Sequence, residues 1–591
     1  MRTIMVSVMN TLQYWHYSPK PINDAYSREV YNKYLEMIDP GKRFFMKEDI
    51  SEFNQHKDKL DDYFKTGNLA FYKLSTDRLY QRVDEVDKIT QEILKNPINL
   101  NENDVYILDS KKKNYPANKQ ELYNEWKKYI KFNILQEMET LTAKEEAQQK
   151  KKDSVIANKL LDTINVKKLS PQEKLTKATD EVKDYISQYF IRFKKRKRMN
   201  WFTVYMNAHT EVFDPHTSYF SPTNKEDFDA SFKGEIIGIG AIIQEKKGNL
   251  FLGELTIGAP AWKSKQLTAG DKILKVKSKP SAEAVNVSGM LVDEAVRLIR
   301  GELGTKVTLT VEKKDKSIKE VTLIREKVSI EDTFARSIIV NAPNGKKYGL
   351  INLPSFNADF ENKKGRNASD DIKAEILKLK KQNIEGIILD LRNNPGGLLN
   401  QAVELTNLFI DSGVIVSQKG RNESENSEFK AARANKITNL PLAVLVNGGS
   451  ASASEIVSGS LQDHKRAVVI GEKTFGKGSV QIILPVDDKE AIRLTIARYY
   501  LPSGRTIQAT GVEPDIIVFP GKVPQQNENA FSIKESELKK HLTNELSKIN
   551  GNSDKNATKN TDNKTIITEA NVNDDIQLKS AIDAIKILQL K

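Results

Sequence analysis

The stretch Asn447-Gly-Gly-Ser450-Ala-Ser452-Ala-Ser454-Glu455 follows directly on the apolar run Leu442–Val446 and leads into a helix-like run at residues 456–461. The pattern predicts a strand, a tight turn and a helix whose first turn consists of Ser and Ala. Such a turn places a serine hydroxyl beside unpaired backbone N–H groups at a helix N-terminus, where negative charge is stabilised. A hydrolase that stabilises an oxyanion needs this arrangement, although Ser and Ala at a helix start are far more often an ordinary cap.

A general base distinguishes these two interpretations. The nearest of the six histidines, His464, lies 12 residues after Ser452, which is about 18 Å along a continuous helix and too far to take the serine's proton. A desolvated lysine is the alternative base, and Lys477 lies between two glycines beside an aromatic residue. In an extended segment every second residue lies on the same face, so Gln481 points the same way as Lys477. Gln481 can therefore orient the lysine amine.

The same residues resemble the C-terminal processing peptidases, also called tail-specific proteases. In this family the nucleophile precedes the lysine by 25 residues, which selects Ser452 over Ser450 and Ser454, a choice that the residues alone leave open. The matching segments occur in the family's order: Asp390-Leu-Arg392-Asn-Asn-Pro-Gly396-Gly397, Gly449-Ser-Ala-Ser452-Ala-Ser-Glu455, Phe475-Gly-Lys477-Gly with Gln481, Arg498-Tyr-Tyr-Leu-Pro-Ser-Gly504-Arg-Thr-Ile-Gln508 and Gly511-Val-Glu-Pro-Asp515.

The resemblance implies a serine-type endopeptidase with a Ser452–Lys477 dyad. It further implies that Gln481 orients the lysine amine. The oxyanion would be held by the backbone N–H of Ala453 and by one from the turn Gly396–Gly397. The sequence contains neither a metal-ligand cluster nor a P-loop, so we expect no metal and no other cofactor. By the same resemblance, Asp463 and His216 are expected to have structural roles.

From about residue 231 the pattern changes to short alternating strands separated by glycine turns, an order that resembles a PDZ domain. Ile237-Gly238-Ile239-Gly240 falls where that fold binds a chain-terminal carboxylate through converging backbone N–H groups. A helix at residues 292–300 would form the other wall of the groove. The resemblance therefore implies protein substrates with apolar C-terminal tails, and it leaves room for an adaptor protein.

Differences in composition along the sequence divide the rest of the chain into regions. Residues 1–200 are Lys/Glu/Leu-rich and nearly free of glycine, which predicts helices with breaks at Asn23-Asp24 and Asp39-Pro40-Gly41. Residues from about 330 alternate strand and helix, which predicts a largely parallel sheet. The polar stretch 551–560 predicts disorder before a last helix at 575–590.

With the resemblance, these patterns predict a multidomain α+β protein. It would comprise an N-terminal helical domain (1–225), a PDZ domain (226–325), an α/β protease core of the ClpP/crotonase-like class (326–520), and a C-terminal tail (521–591) that is partly disordered and ends in a helix.

The net charge and the composition say less about binding partners and cellular location than the motifs say about chemistry. The net charge of +13 suggests nucleic acid as a partner, but the lysines are spread over helical faces and no nucleic-acid motif accompanies them. Absence of cysteine excludes disulfides and thiolate metal sites. No segment is long and apolar enough to span a membrane, and residues 1–9 lack the features of a signal peptide. Because the resembling bacterial proteases are exported, we expect a periplasmic or cell-envelope location.

Two other functions compete with proteolysis. A PDZ scaffold carrying an inactive protease-like domain would share the resemblance, but it has no chemical need for the intact Ser452, Lys477 and Gln481. A nucleic-acid binder would use the positive charge alone, and its affinity would fall steeply with salt.

Overall fold

A computed structural model describes residues 1–157, 168–222, 224–225, 228, 235–246, 249–256, 258–288, 290–329, 334–342, 345–358, 366–523, 566–567 and 572–590. The chain forms two compact units. The first comprises Met1–Phe228, Glu235–Ser329 and Gln481–Ile496, and the second consists chiefly of Ile330–Val480 and Ala497–Lys591.

The first unit begins with the predicted helices. Asn23 ends the first break by capping the second helix, since its Oδ1 accepts from the N–H groups of Ala25 and Tyr26. Ser170 and Glu173 form a reciprocal capping box before another helix. The helices are α1 (Arg2–Trp15), α2 (Asp24–Ile38), α3 (Lys47–Phe53), α4 (Leu60–Thr66), α5 (Ala70–Ile93), α6 (Lys119–Ala157), α7 (Pro171–Lys195) and α8 (Arg198–Glu211).

Aromatic side chains dominate the core of this helical region. Tyr34, Phe71, Trp126 and Tyr205 are almost completely buried there. Tyr34 meets the rings of Phe71 and Tyr205 edge to face, a geometry that adds to the free energy of burial. The helices and both predicted breaks are confirmed.

The rest of the first unit is mainly β-structure. Strands β3, β4, β5, β7 and β8 form a sheet in that order with β6 beside β5, and β2 pairs with β9. The elements are β1 (Ser218–Phe220), β2 (Glu235–Gly238), β3 (Ala241–Lys246), β4 (Asn249–Leu255), α9 (Pro260–Lys263), β5 (Lys272–Lys277), β6 (Val285–Asn286), α10 (Val292–Ile299), β7 (Lys306–Glu312), β8 (Ile318–Ile324) and β9 (Glu326–Ser329).

Helix α10 divides its apolar residues as an amphipathic helix should. Ile299 is buried in the core of this region, whereas Val292 and Val296 are only half-buried. The predicted groove wall thus keeps two partly accessible valines.

The second unit contains the predicted parallel sheet, in the strand order β19-β16-β15-β12-β11-β10-β20. All neighbours are parallel except β10 and β11. The elements that follow β9 along the chain are β10 (Arg336–Asn341), β11 (Lys347–Asn352), α11 (Ala368–Lys380), β12 (Ile387–Asp390), α12 (Leu399–Asn407), β13 (Val414–Gly420), β14 (Ser427–Lys430), β15 (Leu442–Val446), α13 (Ala453–Asp463), β16 (Val468–Gly471), β17 (Ser479–Pro485), β18 (Ala491–Tyr500), β19 (Ile516–Ile517), β20 (Ile566–Ile567) and α14 (Ile576–Leu588). The parts of β17 and β18 within Gln481–Ile496 belong to the first unit.

The register of this sheet determines where the loops meet. β12 and β15 are parallel neighbours, and Asp390 lies opposite Leu445 at their carboxyl ends. The segments after both strands therefore leave the sheet at the same edge, where open α/β sheets usually bind ligands.

Helix α14 covers part of the same sheet. Its buried face, which includes Leu578, Ile582 and Ile585, packs with Ile388 and Leu445 of the central strands. The predicted terminal helix is confirmed, and the predicted disorder at 551–560 lies outside the described residues.

Candidate active site

A strand, a turn and a helix position the candidate nucleophile. β15 is buried along its whole length, and the turn after it is closed by the Ser450 N–H donating to the Asn447 carbonyl oxygen at 2.8 Å. Ser452 then stands immediately before α13 with φ 55° and ψ −110°. Positive φ is costly for a residue with a side chain, and such strain concentrates at active sites.

The three serines of the turn differ sharply in their surroundings. Ser450 and Ser454 are fully buried, and their hydroxyls donate to the backbone oxygens of Leu391 (2.8 Å) and Asn394 (2.9 Å). Ser452 is only partly buried and lies at the helix N-terminus. The structure therefore separates Ser452 from its neighbours without reference to any family.

Glu455 joins Ser452 to the loop that carries Lys477. Its buried carboxylate accepts four hydrogen bonds. Oε2 accepts from the backbone N–H of Ser452 at 2.7 Å and from that of Lys477 at 2.8 Å. Oε1 accepts from the Thr474 hydroxyl at 2.6 Å and from the Gly476 N–H at 2.7 Å. Because one oxygen atom binds both nitrogens, Ser452 and Lys477 are adjacent in space.

A second segment holds the Lys477 loop from the other side. The Gly476 carbonyl oxygen accepts from the Ala509 N–H at 2.9 Å, and the Gly478 N–H donates to Gln508 Oε1 at 3.0 Å. A Cβ atom at Gly478 would lie 2.6 Å from the Gln508 nitrogen, so only glycine fits there. The motif ending in Gln508 thus fixes the backbone that carries the candidate base.

The turn Gly396–Gly397 lies against Ser452. A Cβ atom at Gly396 would be 2.9 Å from Ser452 Cβ and 3.0 Å from the Ala453 nitrogen, and φ is +98° at this position. Glycine is therefore required for both conformation and space. The Gly396 N–H donates to Asn394 Oδ1 at 2.9 Å, so of the two predicted oxyanion donors in this turn Gly396 already has a partner within the chain.

Comparison with known proteins identifies the family of the chain. The profile described as Peptidase family S41 matches residues 347–518, and the profile described as Tail specific protease N-terminal domain matches residues 8–223. The "Tail-specific protease" of Haemophilus influenzae is 31% identical over 517 residues, which cover 85% of this chain and 68% of that protein. The chain belongs to peptidase family S41.

Two further relatives extend the comparison. The "Carboxy-terminal-processing protease" of Bartonella bacilliformis is 37% identical over 56% of this peptidase and 72% of its own length. Among solved structures, the PDZ domain of a carboxy-terminal protease from Vibrio cholerae in complex with a peptide is 38% identical. That match covers 16% of this chain and 97% of that one, with a TM-score of 0.15.

The other predicted site residues lie in the first unit of the peptidase. Gln481 lies on β17, and its amide Nε2 donates to the Thr495 hydroxyl at 3.3 Å. Ile237 and Gly238 end β2, and the Ile239 carbonyl oxygen accepts from the Ala261 N–H at 2.8 Å. A Cβ atom at Gly240, where φ is +69°, would collide with Ala259, so this loop too needs glycine.

The remaining titratable candidates have structural contacts. His464 follows the last turn of α13, and its Nε2 lies 2.7 Å from the Val414 carbonyl oxygen. Asp463 accepts from the Ser503 N–H and pairs with Arg505 at 2.9 Å. Among the described residues there is no group of three or more metal-ligating side chains, and no helix there is long and apolar enough to cross a membrane.

Sequence reasoning missed the role of Glu455. It quoted the residue only as part of a motif, although Ser-x-x-Glu before an apolar run is the sequence signature of a capping box. That signature could have predicted the bond to Ser452. The bonds to Thr474, Gly476 and Lys477 depend on tertiary structure and left no local signal.

Proposed function

We propose that this peptidase is a serine endopeptidase in which Ser452 is the nucleophile and Lys477 the general base. The observation that carries the proposal is the shared acceptor, Glu455 Oε2, which binds the backbone N–H groups of both residues. A four-carbon stem then lets the Lys477 amine reach the hydroxyl of Ser452.

The reaction follows from this arrangement. The neutral Lys477 amine takes the hydroxyl proton as Ser452 Oγ bonds to the carbonyl carbon of the scissile peptide. The carbonyl π electrons move to oxygen, and the N–H groups of Ala453 and Gly397 hold this oxyanion beside the positive N-terminal end of α13. Collapse of the intermediate breaks the C–N bond, and the leaving nitrogen takes its proton from the lysine ammonium. Water then hydrolyses the acyl-enzyme by the same steps.

Gln481 completes the proposed set. Its Nε2 donates to the Thr495 hydroxyl at 3.3 Å, and the family resemblance supports a role of its amide in orienting the Lys477 amine. In this role Gln481 orients the base and transfers no proton.

Substrate choice is assigned to the PDZ-like segment. We propose that Ile237-Gly238-Ile239-Gly240 binds the free carboxylate of a protein's C-terminal tail through backbone N–H groups. An apolar terminal side chain would enter the groove beside α10, with a gain of about 1.5–3 kcal/mol from its burial. An adaptor that delivers such proteins is compatible with this scheme.

The wider assignments rest on family membership. We propose action in the periplasm or elsewhere in the cell envelope, no cofactor, and the ClpP/crotonase-like class for the α/β protease core. The four-part division at residues 225, 325 and 520 also stays a prediction.

Hydrolysis of an unfolded protein tests the proposal. Ser452→Ala should abolish cleavage with the fold retained, while Ser450→Ala and Ser454→Ala should keep substantial activity despite losing buried hydrogen bonds worth about 1–3 kcal/mol each. Activity retained by Ser452→Ala would reject Ser452 as the nucleophile. Absence of hydrolysis by the unsubstituted protein would leave the alternative, a PDZ scaffold with an inactive protease-like domain.

A further inference from the structure

Arg392 connects the end of the chain to the loop that borders the active site. Its guanidinium binds both carboxylate oxygens of Asp390, Nε to Oδ1 at 3.0 Å and Nη2 to Oδ2 at 2.7 Å. The remaining nitrogen, Nη1, binds Asp575 Oδ2 at 2.8 Å and Gln577 Oε1 at 3.0 Å. One cation is thus shared between the end of β12 and the start of α14.

The two C-terminal partners are themselves firmly held. Asp575 caps α14, with Oδ1 accepting from the Leu578 N–H at 3.1 Å. Gln577 is buried, and its Nε2 donates to the Val518 carbonyl oxygen at 2.7 Å. Since α14 packs its apolar face on the central strands, this anchor is part of the core of the second unit.

Arg392 immediately precedes Asn393 and Asn394, which lead into the turn Gly396–Gly397, called the oxyanion turn from here on. Asn393 and Asn447 exchange two hydrogen bonds, at 2.8 and 3.0 Å. The carbonyl oxygen of buried Asn394 accepts from the Ala451 N–H at 3.0 Å. A displacement of Arg392 would therefore move the backbone on both sides of Ser452, namely the turn before α13 and the turn Gly396–Gly397.

The charges at this junction favour the observed position of Arg392. Burial alone would lower the pKa of Arg392, but hydrogen bonding and the charges of Asp390 and Asp575 outweigh burial and raise it. The junction holds one arginine between two carboxylates, so neutralising either acid weakens a charge-assisted bond in a partly buried site.

We propose that residues 572–590 act as a clamp in which Asp575 and Gln577 are positioning residues for the oxyanion turn. The clamp rests on the proposed function, because it acts by placing the Gly397 N–H against the reacting carbonyl. It assigns the C-terminal segment a role in catalysis that is separate from tail recognition by the PDZ-like segment.

Asp575→Asn in the full-length protein tests the clamp. Asn caps helices as well as Asp does, so this change keeps the α14 cap. It places an NH₂ group where Oδ2 faces Arg392, and so removes both the charge and the hydrogen-bond acceptor at that contact. We expect kcat for an unfolded protein to fall about tenfold with KM unchanged. Binding of a peptide boronic acid, which forms a tetrahedral adduct at the nucleophile, should weaken by a similar factor. Adding Gln577→Leu should enlarge both effects.

Asp574→Asn is the matched control. Asp574 is adjacent in sequence and exposed, and it pairs with Lys522 instead of Arg392. It should leave kcat within twofold. A kcat within twofold for Asp575→Asn, in a protein that Ser452→Ala inactivates, would overturn the clamp alone. A loss of activity that merely follows the unfolded fraction, measured by circular dichroism, would also overturn it and make α14 a stability element. Survival of activity in Ser452→Ala would instead reject the proposed function.

Discussion

Replacing Glu455 by Gln tests whether one carboxylate organises the catalytic centre. The carboxylate accepts from four donors: the N–H groups of Ser452, Gly476 and Lys477 and the hydroxyl of Thr474. An amide of the same shape offers one acceptor oxygen and one NH₂ group. It can therefore satisfy only two of the four donors in their present orientation.

The structure sets the size of the effect. The least costly amide orientation keeps its oxygen on Ser452 and Lys477 and turns its nitrogen towards Thr474, whose hydroxyl can accept. The Gly476 N–H is then buried without an acceptor, at a cost of about 1–3 kcal/mol, and the other bonds lose about 1 kcal/mol each with the charge. Relief of a desolvated carboxylate offsets part of this. We expect the free energy of unfolding to fall by about 2–4 kcal/mol.

The turnover number of Glu455→Gln should fall by more than its loss of folded protein explains. Glu455→Gln loosens the backbone of both nucleophile and base, and a 100-fold loss in kcat corresponds to about 2.7 kcal/mol of transition-state stabilisation. We expect a loss of about this size in turnover of an unfolded protein, measured at a temperature where urea titration shows the variant to be folded.

Asp39→Asn is the control for this experiment. Asp39 is also buried and accepts from three backbone N–H groups, those of Arg43, Phe44 and Phe45, but it lies in the helical region of the first unit. It should reduce stability comparably and leave kcat unchanged. Normal turnover by Glu455→Gln, or an equal loss in both variants, would refute the organising role of Glu455.

Three further predictions concern the base, the substrate and pH. Lys477→Arg should be inactive because a guanidinium keeps its proton, whereas Lys473→Arg, at an exposed neighbouring position, should be active. Gln481→Ala should retain reduced activity. The rate of peptide-bond hydrolysis at rising pH measures the activity of these three variants. Substrates with a free apolar C-terminus should be cleaved several-fold faster than the same proteins ending in Asp-Asp or an amide, and equal rates would exclude tail recognition. Burial lowers the pKa of His209 from 6.5 to about 3, so the unfolded chain binds a proton first as the pH falls. The free energy of unfolding should therefore decrease from about pH 6.5 downwards, by up to about 1.4 kcal/mol per pH unit, and His209→Phe should reduce that slope in urea titrations.

Local patterns predicted the elements that build the site. The apolar run Leu442–Val446 is a strand with the predicted bounds, because a buried parallel strand needs continuous apolar residues. The following helix is confirmed and continues to Asp463, so His464 does lie at the far end of α13. The sequence pattern also predicts a helix over residues 399–410, and the observed helix α12 is shorter, since it ends at Asn407 and the next residues form a turn.

Contacts between distant segments could not be predicted in this way. Glu455 binds Thr474 and Lys477, which follow it in the sequence after a turn and a strand. Arg392 binds Asp575, which lies far from it in the sequence. Hydrophobic periodicity reports which face of an element is buried, but it carries no information about which polar groups meet there. The residues alone suggested Lys477 and Gln481, and the family resemblance selected Ser452 because its spacing to Lys477 is a property of the family. The contacts of Glu455 with the Lys477 loop and of Asp575 with Arg392 required coordinates.

Backbone strain explains why the turn exposes one serine of three. Ser450 and Ser454 have hydroxyls that serve the backbone, as serines near a helix start commonly do. Ser452 has positive φ, which costs on the order of 1–3 kcal/mol for a residue with a side chain. The charge-assisted bond from its N–H to Glu455 offsets a cost of that size, so the conformation persists. The carboxylate of Glu455 therefore holds the strained residue, and we expect Glu455 to be needed for the proposed role of Ser452 as nucleophile.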